Sequence, residues 1–438
     1  MLCSVLLAGS NYQKILPNSL QFPILNSQKP CLRAGRMLEF FSASGRIVNP
    51  ERAVLECLEG ALGPDPNADL IIINASIGHD LRRLCAGVRQ QLPDARVVAG
   101  SCAGIVGREG VSESMKDVAM MAVRGGDFAV SHVSDIHGAN ARARARALAV
   151  QLREQRDDVT MVYLLASGVD IANDEVIAGI EDELGSRVTV FGATTSDNMR
   201  GITSHQALDG QVFEHGAIAV GFCDPTLEVV TQATHGFVAT GEPLTVTAVR
   251  GNRIVELDGG PAWPTYLERL GLDADAVLAD SIPIGALAET LPEEEAADYG
   301  NAHILRAVTH VDDDGALVYP TQPREGMQVW LTERDEARIF DDLERLIAVM
   351  NGEASGRLPV AVFQADCLAR GRLLFDRVMK EELVQRMQYP FSDENGPPPW
   401  LGMYGFGEYA RLRGANAFHN YTTALAALYR RDADGATA

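Results

Sequence analysis

Short apolar runs closed by Gly, Asp or Asn alternate with longer stretches of helical spacing along most of this chain, and that alternation confines it to the α/β class. Leu70 to Asn74 reads as a buried strand, Asp80 to Gln91 as a helix and Arg96 to Ala99 as the next strand. Val118 to Val123 and Phe128 to Val133 are two further strands, and the paired glycines of Arg124-Gly125-Gly126-Asp127 predict a tight hairpin between them. Ala141 to Arg153 and Asp174 to Leu184 carry helical patterns; Met161 to Ala166, Val188 to Ala193 and Ala217 to Phe222 read as strands.

The C-terminal portion uses the same elements. Gln328 to Leu331, Pro359 to Gln364 and Trp400 to Phe406 read as strands, Asp335 to Met350 and Arg372 to Met387 as helices, and Ala417 to Leu428 as a last apolar segment. Between the portions, Val229 to Phe237 reads as a strand ending at His235-Gly236. A hairpin follows, with a Gly251-Asn252 turn and Pro261 near the start of the next helix. The spacing of strand starts differs between the portions, so no internal repeat is legible. The expectation is two α/β halves, 37–260 and 261–430, packed across a ligand cleft. Residues 1–36, rich in Asn, Gln, Ser and Pro after a short apolar run without a basic flank, read as a disordered extension, with Met37 as the natural start. Residues 431–438 read as a flexible tail.

Two C-terminal motifs carry the chemistry. Val362-Phe363-Gln364-Ala365-Asp366-Cys367-Leu368-Ala369-Arg370-Gly371-Arg372 is an apolar strand running into Cys, Arg and Gly. Pro399-Trp400-Leu401-Gly402-Met403-Tyr404-Gly405-Phe406-Gly407-Glu408 interleaves Gly with large apolar residues and ends on one acid; Asn416, Phe418, His419, Asn420, Thr422 and Thr423 follow. Such glycines let other atoms approach the backbone and aim a carboxylate at a fixed place. Both motifs resemble the C-terminal half of the FIST family, bacterial sensory proteins that bind small ligands. The Gly241-Glu242-Pro243-Leu244 and Glu256-Leu257-Asp258-Gly259-Gly260-Pro261-Ala262 pair and the Val190-Phe191-Gly192-Ala193-Thr194-Thr195-Ser196-Asp197 segment are similar to its N-terminal half, so the resemblance runs from about Asp69 to Leu428.

Cys367, Arg370 and Arg372 suit a carboxylate or phosphate; the plainer alternative is a helix start whose arginines pair with the chain's many acids. Glu408 at a strand end is suited to a ligand amine, or to holding its loop by accepting backbone N–H bonds. Asn420, Thr422 and Thr423 read as polar lining or as local hydrogen-bonding residues of the last helix. The Gly100-Ser101-Cys102-Ala103-Gly104 turn lacks the lysine of a phosphate loop. The nine histidines show no HxH or HExxH spacing. His235 stands apart, because it closes an apolar strand next to Gly236 and Phe237. A subset of stand-alone FIST proteins are nitric-oxide-sensing haem proteins (NosP-type), and that resemblance implies haem b with His235 as iron ligand. The alternative is a strand-terminal histidine bonded to backbone.

With 38 basic and 59 acidic residues the formal charge is −21, which disfavours nucleic acid and anionic membranes as partners. No apolar run approaches the roughly 18–20 residues of a membrane span. The seven cysteines form no CxxC pair, which fits a reducing cytoplasm. The resemblance implies a non-enzymatic cytoplasmic sensor acting in trans on a separate output protein such as a histidine kinase, as in two-component signalling. Its ligand is then haem-bound nitric oxide, or an amino acid or similar metabolite held by Arg370 or Arg372 and Glu408. An enzyme acting on a small acid through Cys102 or Cys367 is a further alternative, and it needs a base beside one thiol.

Overall fold

The computed structural model describes residues 37–198, 200–371 and 377–431. The expected extension 1–36, Arg372 and most of the expected tail 431–438 lie outside the described residues. Within them the architecture is mixed α/β, and it is built from one unit used three times.

Unit I runs β1 (Glu39–Arg46), α1 (Pro50–Leu62), β2 (Leu70–Ser76), α2 (Leu81–Gln91), β3 (Arg96–Cys102), a short hairpin β4 (Ile105–Gly107) and β5 (Gly110–Ser112), and β6 (Asp117–Arg124). Unit II repeats that order as β7 (Phe128–Val133), α3 (Ala141–Gln155), β8 (Met161–Ala166), α4 (Asn173–Leu184), β9 (Thr189–Thr194), the hairpin β10 (Gln206–Leu208) and β11 (Gln211–Phe213), and β12 (Ala217–Phe222). Unit III opens with β13 (Leu227–Thr234) and is then interrupted. The interrupting module holds β14 (Phe237–Arg250), β15 (Arg253–Leu257), β16 (Gly260–Pro261), α5 (Ala262–Leu270), α6 (Leu278–Ser281), β17 (Leu287–Thr290), α7 (Glu293–Tyr299), β18 (His303–Arg306), β19 (His310–Val311), β20 (Leu317–Val318) and β21 (Gln328–Arg334). Unit III resumes with α8 (Glu336–Glu353), β22 (Ala361–Cys367), α9 (Leu368–Gly371), α10 (Arg377–Gln388), β23 (Trp400–Gly405), the hairpin β24 (Gly407–Leu412) and β25 (Ala415–His419), and β26 (Thr423–Arg430).

Each unit makes an open sheet in which two parallel strands lie beside an antiparallel one, and each receives another unit's hairpin. The orders are β1-β6-β2-β3-β10-β11, β7-β12-β8-β9-β24-β25 and β13-β26-β22-β23-β4-β5. Hairpins therefore pass round a ring, from unit II to I, from III to II and from I to III. Three backbone bonds close that ring: Ser196 N–H to Ser101 O at 3.0 Å, Phe406 N–H to Thr194 O at 3.3 Å, and Ala103 N–H to Tyr404 O at 3.0 Å. The repeat was invisible in strand spacing because the long module lies inside unit III alone. The exchange also means that the two expected halves interlock through shared sheets.

The inner faces of the three sheets share one apolar centre, where Phe40, Tyr163, Phe191, Phe222 and Phe363 meet at ring-centroid separations of 5.0 to 6.5 Å. Helices cover the outer faces, α1 and α2 over unit I and α3 and α4 over unit II. Strands such as β2 are buried on both sides, Leu70 and Ile72 inward and Ile71 and Ile73 outward. That double burial is why they read as unbroken apolar runs instead of alternating ones. Helix starts follow local chemistry: the Asp80 side chain accepts from the backbone N–H groups of Arg82 and Arg83, and Asp335 accepts from that of Arg338.

The structure corrects two local expectations. No hairpin forms across Gly125-Gly126, because both edges of β6 are taken by β1 and β2, and β7 pairs with β12 instead. The last segment is not helical: it forms β25 and β26, and the apolar residues of β26 alternate between the common centre and the cluster that holds α8. The β14–β15 hairpin turns at Gly251-Asn252 as expected, with Gly251 at φ +60. No described helix is long and apolar enough to cross a membrane.

Candidate functional site

The parallel strands β22 and β23 end side by side, Cys367 opposite Gly405, and β26 runs back along β22 with Thr423 opposite Asp366. The hairpin strand β24 leaves β23 after Phe406 and puts Glu408 against Ala193 of unit II. This convergence of strand ends brings Asp366, Cys367, Arg370, Glu408, Asn420, Thr422 and Thr423 together, each no more than 2% exposed. The expected ligand residues Cys367, Arg370, Glu408, Asn420 and Thr422 thus lie near one another, in the interior and not on an open cleft wall. Arg372 falls outside the described residues.

The cluster is only partly satisfied. Glu408 Oε2 accepts from the Thr422 hydroxyl at 2.6 Å and the Thr422 N–H at 3.4 Å, while Oε1 has no hydrogen-bond partner. Asp366 Oδ2 accepts from Thr423 Oγ1 at 2.7 Å and Gln364 Nε2 at 3.2 Å; Oδ1 has none. Arg370 Nη1 donates to the carbonyls of Thr234 at 3.2 Å and His235 at 3.4 Å. Its Nε lies 3.4 Å from Asp366 Oδ1 without forming a hydrogen bond, and Nη2 is unpaired. Leaving a buried polar atom without a hydrogen bond costs about 1–3 kcal/mol; the Arg370 Nε and Asp366 Oδ1 ion pair offsets part of this, and Glu408 Oε1 and Arg370 Nη2 require an explanation.

Burial controls the protonation here. It pushes the Glu408 carboxyl well above the ordinary range, against the Thr422 bonds and with the Asp366 charge adding to the rise. Burial likewise raises Asp366 to about 6, opposed chiefly by Arg370. The Cys367 thiol is driven far up by burial and then by Glu408, and burial also raises the Cys102 thiol, so neither carries the thiolate character of a nucleophile. Ser101, in the glycine turn, donates to Ser196 O at 2.9 Å and belongs to the ring contact between units.

His235 is 1% exposed, and both of its ring nitrogens are engaged: Nδ1 accepts from the Phe237 N–H at 2.9 Å, and Nε2 lies 3.0 Å from His303 O. Burial holds the ring neutral, lowering its pKa to about 3. An axial iron ligand needs a free nitrogen with open space beyond it, whereas Phe237 and Tyr299 pack against this ring at 6.2 and 5.4 Å between centroids. The geometry does not fit haem at His235. What His235 gives the cluster is its backbone carbonyl, on Arg370.

Sequence reasoning passed over Asp366, although it stood in the quoted motif beside Cys367. It missed Tyr299 and His419 as well, whose side chains meet at 3.3 Å. Nothing in local spacing announces that a residue of α7 reaches the β25–β26 turn.

The FIST N domain model matches residues 69–260 and the FIST C domain model residues 262–411. Two uncharacterized proteins of Mycobacterium tuberculosis, from strains CDC 1551 and H37Rv, are each 24% identical over 347 residues, covering 78% of this chain and 86% of theirs. A cyanuric acid hydrolase from A. caulinodans superposes with a TM-score of 0.34 at 10% identity, over 90% of this chain and 99% of its own, a likeness too low to carry argument. FIST domains are associated with signal-transduction sensing of small ligands, and with both domain models matched in order across most of its length, this chain belongs to the FIST family.

Proposed function

We propose that this protein is a receptor for a small zwitterionic metabolite of the amino-acid class, held between Arg370 and Glu408, whose occupancy a separate signalling protein such as a histidine kinase reads in trans. The observation that carries this reading is the set of buried atoms without a hydrogen bond: Arg370 Nη2 on one side, Glu408 Oε1 and Asp366 Oδ1 on the other. A ligand carboxylate answers the first and an ammonium the second, which removes a desolvation cost these atoms otherwise bear.

The first test is thermal unfolding of the full chain with each of the twenty free L-amino acids. A midpoint that rises with one of them supports the reading, and a flat response to all of them removes it. Because burial holds the Glu408 carboxyl well above its ordinary range, binding an ammonium beside it should release a fraction of a proton per ligand. Calorimetric titration at pH 7 in two buffers of different ionisation enthalpy should then give different apparent heats; equal heats would contradict the assignment.

Glu408→Gln should abolish the ligand response and raise the stability of the empty protein by about 1–3 kcal/mol. A carboxyl whose folded pKa is raised weakens the fold progressively as pH rises from the unfolded value toward the folded one. The gain from Glu408→Gln should therefore be larger at pH 8 than at pH 5, as urea midpoints would record. Haem-based nitric oxide sensing would require His235 to give up one of its two ring hydrogen bonds and the packing around that nitrogen to open. Its test is a hemin titration, in which a stoichiometric Soret band that weakens in His235→Ala would restore that reading.

A further inference from the structure

The threefold construction places three residues in one structural position. On the exchanged hairpins, Ile105 stands opposite Met403, Gln206 opposite Gly100 and Glu408 opposite Ala193. Their surroundings match as well. Gln206 Oε1 accepts the N–H of Gly216, directly before β12, at 3.0 Å; Glu408 Oε2 accepts that of Thr422, directly before β26, at 3.4 Å. In unit I the position is filled by a buried isoleucine. In unit II the amide is closed off, since Gln206 Nε2 donates to Thr195 Oγ1 at 2.5 Å and reaches Ser204 Oγ at 3.5 Å. The ring bonds set Thr195 equivalent to Gly405, which offers no hydroxyl. Of the three occupants, Glu408 is the ionisable one, and it keeps an unpaired oxygen.

Unit III differs in a second way. Units I and II pass from first strand to first helix directly, from Arg46 to Pro50 and from Val133 to Ala141, whereas β13 ends at Thr234 and α8 begins at Glu336. The module between them grips four consecutive residues of the β25–β26 turn. Arg306 Nη1 donates to Phe418 O at 2.7 Å, Tyr299 Oη meets His419 Nδ1 at 3.3 Å, the Ala307 N–H donates to Asn420 Oδ1 at 3.1 Å, and Tyr421 Oη donates to Ile282 O at 3.2 Å. Tyr421 is held at φ +55, a conformation a bulky residue rarely adopts unaided. The next two residues, Thr422 and Thr423, hold Glu408 and Asp366. Arg370 binds the carbonyls at the root of the module, Thr234 and His235.

We propose that the inserted module, residues 237–334, is the element that reads the unit III site: the segment 418–423 is a strap with the module on its first four residues and the two acids on its last two. A change in what Glu408 and Asp366 bond to moves Thr422 and Thr423, and through them the contacts that seat the module. At the equivalent hairpin position units I and II carry Ile105 and Gln206 instead of a carboxylate, and neither unit holds the module. This rests on the reading of the unit III cluster as a ligand site, but its test does not need the ligand.

Hydrogen exchange of the full chain should be followed by mass spectrometry in wild type, Glu408→Gln and Gln206→Glu, with β2 peptides as internal reference. Glu408→Gln should change exchange in peptides covering 299–307 and 418–423 by about threefold or more, although residue 408 lies outside both. Gln206→Glu, the substitution in the opposite sense at the equivalent place, should leave 299–307 unchanged. If Gln206→Glu does not fold, Gln206→Met replaces it. Equal exchange of 299–307 in wild type and Glu408→Gln overturns the proposal, and so does an equal change produced from position 206. If no amino acid shifts the unfolding midpoint while the exchange asymmetry holds, the ligand assignment fails and the coupling stands.

Discussion

Arg370→Ala should destabilise the protein by about 3–5 kcal/mol, the range expected when one member of a buried ion pair is removed and the other stays behind. Arg370 is 1% exposed and Asp366 equally enclosed, so the orphaned carboxyl would have only Thr423 and Gln364 to satisfy it. The substitution also frees the carbonyls of Thr234 and His235, where the inserted module leaves unit III. The double variant Asp366→Asn/Arg370→Met removes both charges and should recover more than half of the loss. Urea unfolding of wild type, single and double variants decides the matter. A single-variant cost below about 1 kcal/mol would mean that the pair is solvated and not part of a closed site.

Acidification should unfold the protein through its buried imidazoles. Burial lowers both His235 and His419 to about 3, so the folded protein keeps both rings neutral while the unfolded chain protonates near 6.5. A base with a depressed folded pKa contributes stability that is complete above the unfolded value and is lost as pH falls from 6.5 toward 3. Each ring accounts for on the order of 4 kcal/mol across that interval. Asp366 and Glu408 act in the opposite sense, since their raised pKa values favour the fold as pH falls, so the histidines must be isolated by substitution. His419→Gln keeps a hydrogen-bonding group toward Tyr299 and the Ala410 carbonyl. It should lower stability at pH 7, with a deficit that shrinks steadily and reverses near pH 4. A deficit independent of pH would show that His419 is protonated equally in both states.

Both predictions concern residues whose importance was unevenly legible in the chain. Cys367, Arg370, Glu408, Asn420 and Thr422 could be singled out because Gly, Arg, Asn and Thr at strand ends have few purely packing roles. Asp366 stood inside the same motif and was passed over: its role depends on Thr423, brought opposite it by an antiparallel pairing across 57 positions of sequence. His235 was singled out for its ring, and the structure brings its carbonyl to Arg370. The sequence places an imidazole beside Gly236 and Phe237, and only the fold turns its ring into hydrogen bonds with Phe237 and His303 and its carbonyl toward Arg370.

By itself the sequence determined the α/β class, most strands and helices to within a few residues, the β14–β15 hairpin and the family. Each follows from apolar periodicity, capping residues or turn glycines, which act over a few neighbouring positions. The tertiary structure alone decided the threefold ring, the exchange of hairpins between sheets and the distinct fates of Ile105, Gln206 and Glu408. Strand pairing is settled by which edge remains open when sheets assemble, as at Gly125-Gly126, where a good turn sequence made no hairpin because both edges of β6 were already occupied. Whether a buried polar group is closed or left open is likewise set by partners elsewhere in the fold: the Thr195 hydroxyl accepts from the Gln206 amide, and Gly405 has no hydroxyl to offer Glu408.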